Sequence, residues 1–177
     1  MKPPNQEAAP LSLDDARRWA LVGILSAFAL ALSYAETFVP IPIPVPGVKL
    51  GLANAVILAA LIMTDLKSAL CIALIKVLAS GFLFGSPIMM TYSAAGTLLA
   101  TMIMALVAKL SNVGMVPVAM VGAIFHNVGQ LLIASVMLQT TLVWLSAPLL
   151  FATACLTGII TGLLARCLVD ASKGRLP

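Results

Sequence analysis

Residues 110–165 read LSNVGMVPVAMVGAIFHNVGQLLIASVMLQTTLVWLSAPLLFATACLTGIITGLLA, a stretch without a single Asp, Glu, Lys or Arg. At its centre stand His126, Asn127 and Gln130. This is sequence written for a lipid solvent with a polar cluster set inside it. A bilayer core has no water for such groups, so they must face a protein interior, a cavity or a bound molecule. Lys76 repeats the pattern in the first half of the chain.

Composition agrees. The 177 residues are 62% hydrophobic and 9% charged, with a mean hydropathy of +1.12, whereas a soluble domain carries about 25% charged residues. At roughly 20 residues per span, the length allows about six helices in one membrane domain. The net charge of +4 comes without a basic run interleaved with aromatics, which argues against a nucleic-acid partner. Cys71, Cys155 and Cys167 have no metal-ligand or redox spacing and read as apolar packing thiols.

The hydrophobic runs predict an all-α integral membrane protein with six transmembrane helices. Residues 1–18 form a polar tail in which Asp14-Asp15 before Arg17-Arg18 marks a helix start at the interface. The membrane domain covers 19–170, with spans near 19–37, 50–64, 68–84, 88–110, 116–138 and 142–169, and 171–177 is a second tail. The first span resembles a signal peptide, with Ser33-Tyr34-Ala35 as a mock cleavage site, but is expected to be retained. The alternating prolines of the 38–47 loop remove backbone donors, so this greasy segment is a stiff external cover or an interfacial linker. Lys2, Arg17, Arg18, Lys67, Lys109, Arg166, Lys173 and Arg175 fall on one side when both termini are cytoplasmic, as the positive-inside rule requires. The expected location is a bacterial cytoplasmic membrane, in contact with lipid on all sides.

Catalysis finds no support. One histidine cannot make a metal-binding pair, and no Gly-rich phosphate loop is present. Asp14-Asp15 lacks the third carboxylate of an aspartate-rich prenyl-synthase motif. The chain is read as a non-enzyme with no catalytic residues, no metal and no cofactor; energy from ATP has to come from a partner.

The polar residues instead outline a binding site for a small molecule. Lys76 lies about nine residues beyond the inner turn, roughly 13 Å deep at 1.5 Å per residue. A lysine there costs at least ~2.5 kcal/mol on insertion scales. Ser80 is one turn further along the same face, and Ala123, His126, Asn127 and Gln130 share a face of the fifth helix. At the outer mouth, Lys49 and Asn54 open the second helix, where an N-terminus favours an anion. Glu36 ends the first helix nearby and either pairs with Lys49, contacts a solute or snorkels to the interface. The competing reading of the cluster is a polar network that glues helices. Two small-residue stripes, Gly23-Ala27-Ala31-Ala35 and Gly158-Gly162 beside Thr153, Thr157 and Thr161, serve either packing within the chain or docking onto another membrane protein.

Three segments, GVKLGLAN at 47–54, LIKVLASGFLFGSP at 74–87 and FHNVGQLLIA at 125–134, together resemble the Gx transporter family, also labelled heptaprenyl diphosphate synthase component I. That family is similar to the substrate-binding S components of energy-coupling factor (ECF) transporters. The resemblance implies six helices, a first loop acting as a lid, an outward-facing solute pocket, and an alanine-spaced first-helix face that meets a transmembrane coupling subunit working with ATPases. Ala27, Ala31 and Ala35 match that spacing. Lys76 stands where the family favours Arg; the charge is kept and the bidentate fork is lost. The expectation is a substrate-capture subunit for a small anionic or amphipathic solute, with Lys49, Asn54, Lys76, Ser80, His126, Asn127 and Gln130 lining the site. The alternative is a noncatalytic membrane partner of a polyprenyl synthase.

Overall fold

The computed structural model describes residues 13–39, 49, 51–110 and 113–173. The prolines of the expected cover or linker at 38–47, and both chain ends, lie outside the described residues. Among the described residues there are six α-helices: α1 (Leu13–Ala35), α2 (Asn54–Met63), α3 (Leu66–Phe84), α4 (Pro87–Leu110), α5 (Met115–Met137) and α6 (Ala147–Ser172). Short 3₁₀ turns follow α1 at Glu36–Phe38 and precede α6 at Leu142–Ser146.

Local chemistry sets the helix ends. Asp14 and Asp15 occupy the first turn of α1, where negative charge suits the helix dipole. The helix therefore starts at Leu13, inside the segment that the sequence reads as a tail. Asp65 caps α3 by accepting the Ser68 N–H at 2.8 Å. Pro87 opens α4, where its missing donor costs nothing. A second proline, Pro148, lies in the first turn of α6.

Five of the six helices are long and apolar enough to cross a membrane; α2 is not. The described residues thus give five candidate spans and one shorter apolar helix where the sequence reading has six spans. With ten residues, α2 is about 15 Å long, half the thickness of a bilayer core. It is apolar all round, and Ala53 and Ala55–Ala60 have no exposed surface at all. Such a helix belongs in a core, and α2 packs against each of the other five. Because it is short, its N-terminus opens within the bundle rather than at the membrane surface.

The other helices run up and down around it. Helix α5 lies antiparallel to both α4 and α6 and packs along each. Glycines bring those backbones together. A Cβ added at Gly129 would meet the Ala95 carbonyl at 2.7 Å, and one at Gly158 or Gly162 would fall 2.5 Å from the Cα of Met120 or Val116. The Gly158–Gly162 stripe is thus used for packing within the chain. The α1 stripe is not: Gly23, Ala27, Ala31 and Ala35 are all exposed.

The outside of the bundle is apolar, with Ile24, Phe28, Leu78, Phe82, Leu132 and Ile160 among the exposed side chains. The inside holds Lys76, His126, Asn127 and Gln130, each at most 1% exposed. This inversion of the soluble pattern fits a lipid surround.

At one end of the bundle Arg18 ties α1 to the α2–α3 turn. Its guanidinium meets Asp65 at 2.7 Å and the Ser68 hydroxyl at 3.0 and 3.1 Å. The Ser68 backbone N–H, its hydroxyl and the Arg18 guanidinium hold the Asp65 carboxyl below the usual carboxylate range. A carboxyl whose folded pKa is depressed stabilises the fold above its unfolded pKa, and that contribution is lost as pH falls through the folded value. Asp65→Asn should therefore flatten the acid side of the melting-temperature profile below about pH 4; a profile that falls as steeply as the parent's would show that Asp65 has no part in acid sensitivity.

Candidate functional site

The middle of the bundle brings together residues from α2 through α5 and from the turn that follows α1. Lys76 stands near the centre of α3, and its Nζ donates to the Ser93 hydroxyl at 3.3 Å and the Thr97 hydroxyl at 3.2 Å, both on α4. Between those two lies Gly96, whose missing side chain makes room for α5: a Cβ there would come within 2.9 Å of His126 Nδ1 and 3.0 Å of Gln130 Cγ. Lys76 and His126 are close enough to interact electrostatically.

The chain leading into α2 closes the cluster from above. With its amide oriented to suit its neighbours, Gln130 donates to the Lys49 carbonyl at 3.3 Å. Its oxygen accepts from the Lys49 N–H and from His126 Nε2–H, both at 3.2 Å. Gln130, predicted from sequence, thus holds the entry segment by its backbone, and His126 in turn holds the Gln130 amide. Two residues further on, Gly51 adopts a φ of +82°, which favours glycine. A Cβ at that position would lie 2.9 Å from Asn54 Nδ2 and 3.2 Å from His126 Cδ2. Asn54 and His126 are therefore neighbours across Gly51.

Glu36 is the surprise of the mouth. It does not snorkel; it is 4% exposed. One carboxylate oxygen accepts the Leu52 N–H just before α2. The carboxylate thus faces the positive end of the short helix. It also interacts electrostatically with Lys76 and Lys49, but neither forms an ion pair with it. The Lys49 ammonium sits 5.3 Å over the Phe84 ring, within cation–π range. Partial burial pushes Lys49 below the ordinary lysine range, and the Glu36 carboxylate opposes this.

Not every expected residue joins the cluster. Asn127 donates to the Leu150 carbonyl of α6 at 2.8 Å, so part of its amide ties two helices together. The Ser80 hydroxyl donates to the Val77 carbonyl of its own helix. Conversely, Ser93, Gly96 and Thr97 were missed. Their signal was the buried small-and-polar stripe Ser93, Gly96, Thr97, Ala100, Thr101 at helical spacing, which is out of place on a lipid-facing helix.

Several buried polar atoms in and beside this cluster have no hydrogen-bond partner among the described residues. They include the second Glu36 oxygen, both amide atoms of Asn54 and the Asn127 oxygen. Native interiors leave few such groups, and each keeps capacity for a hydrogen bond. Among the described residues, no three His, Cys, Asp or Glu side chains gather into a metal-binding set.

These features define a multi-pass helical membrane protein with an internal, partly unsatisfied polar site. Residues 25–168 match the family model described as heptaprenyl diphosphate synthase component I, and the chain belongs to that family. No curated protein and no solved structure matches it.

Proposed function

We propose that this protein is the solute-capturing membrane subunit of an ECF-type uptake transporter, taking up a small anionic or amphipathic solute. The observation that carries this reading is the Lys76 ammonium, buried in mid-span on two neutral hydroxyls, beside a short helix whose mouth holds unpartnered polar atoms. A buried cation held only by hydroxyls is expensive as glue; as a solute contact it recovers that cost on binding. The solute enters from outside, above the N-terminus of α2, with both chain termini in the cytoplasm of the cell. Lys49, Asn54, Lys76, His126 and Gln130 shape the site, with Ser80 and Asn127 supporting it.

Transport then needs a coupling subunit and ATPases in trans. The Gly23-Ala27-Ala31-Ala35 face of α1, exposed among the described residues, is the docking surface under this reading. Ala27→Trp with Ala31→Trp should leave melting temperature and solute binding unchanged while the coupling subunit no longer co-purifies. If the double variant retains its partner, the coupling face lies elsewhere.

A second reading rests on the family description, which links the chain to a heptaprenyl diphosphate synthase system. There it would be a noncatalytic membrane subunit that anchors a soluble synthase. Co-purification separates the two: coupling subunit and ATPases for the first, an aspartate-motif synthase for the second.

A further inference from the structure

The site holds buried groups of both signs that are not joined to each other. Lys76 has three donors; two are spent on Ser93 and Thr97. Glu36 spends one oxygen on the Leu52 N–H, and its other oxygen has no partner among the described residues. No ion pair connects them, so the ammonium and the carboxylate each keep capacity for a third party. Asn54, beside Gly51, adds an unspent donor and an unspent acceptor.

We infer that the solute is of mixed charge, carrying an acidic group that meets Lys76 and an amine or similar N–H donor that meets the free oxygen of Glu36. This deepens the solute-capture reading and rests on it. A purely anionic solute would bring its charge against the Glu36 carboxylate in a medium of low dielectric, where like charges repel strongly. A purely cationic one would meet Lys76 and Lys49. A solute with both groups satisfies the two residues at once and leaves no buried charge uncompensated. The Asn54 amide matches either end by presenting its oxygen or its nitrogen.

The test uses the full chain in lipid nanodiscs and a small-molecule extract of cells. Ion exchange splits the extract into compounds that bear an acid only, an amine only, or both. The melting temperature is read with each pool. The expected result is stabilisation by the pool bearing both groups and by neither of the others. Glu36→Gln should remove that response; it keeps an oxygen to accept the Leu52 N–H, so the cap on α2 survives. Stabilisation of the parent by the acid-only pool would overturn the mixed-charge inference and leave solute capture standing. Stabilisation by the amine-only pool would also overturn it. No response to any pool would overturn solute capture along with it. The parent protein's response decides among these outcomes even if the variant does not fold.

Discussion

Lys76→Met is expected to weaken solute binding by about 100-fold or more while leaving the protein folded and at least as heat-stable as the parent. The binding loss follows from the site's charge. Truncating one partner of a buried, hydrogen-bonded charge pair costs about 2–5 kcal/mol, and each 1.4 kcal/mol is a factor of ten. The stability expectation follows from burial. Lys76 is 1% exposed, and replacing a buried charge with an apolar side chain of similar volume is often neutral or stabilising. Ser93 and Thr97 lose their donor, but serine and threonine hydroxyls can turn back to their own helix, as Thr101 does toward the Thr97 carbonyl at 2.7 Å. The two readouts separate the roles. A variant that binds normally would make Lys76 structural. One that melts well below the parent would make the cluster the glue that the competing reading describes.

The largest effect on stability is expected at Gly158. A Cβ there would lie 2.5 Å from the Cα of Met120 and 2.9 Å from its Cγ. The first of these is backbone, which cannot step aside without moving α5. Overpacking typically costs about 1–3 kcal/mol, occasionally more, so Gly158→Leu should cost about 3 kcal/mol or fail to fold. The control is Gly23→Leu on α1, where an added Cβ meets nothing within 4 Å. That change should stay within about 0.5 kcal/mol. Equal destabilisation by the two would mean that the α5–α6 contact is not the close backbone packing described.

These two glycines also show what sequence conveys and what it withholds. Both sit in small-residue stripes of the same spacing, and spacing alone does not say which stripe meets another helix of the same chain. Helix positions were legible because apolar runs bounded by Pro, Gly and charged turns leave little choice: α3, α4 and α5 begin and end within a residue or two of the spans read from sequence. The second span was less so. Leu50 to Thr64 is continuously apolar apart from Asn54, but the positive φ of Gly51 and the turn that follows delay the helix to Asn54.

The site divides the same way. Lys76 and His126 were visible because ionisable groups in a lipid-like run require an interior. Ser93 and Thr97 were not, since a hydroxyl can satisfy itself on its own helix anywhere in a membrane. His126 and Asn127 were placed on one face. Successive residues stand about 100° apart on a helix, which is enough for His126 to turn toward α4 and Asn127 toward α6. Glu36 was left between pairing, solute contact and snorkelling, because its position depends on a long-range contact with the start of α2 that no local pattern encodes.

Native mass spectrometry of the full chain, gently purified from its own membranes, tests solute capture most directly. The account predicts a small molecule bound one to one to the parent and lost from Lys76→Met. An empty parent protein that carries a stably bound prenyl diphosphate synthase would contradict it, and would leave the polar cluster as a structural network.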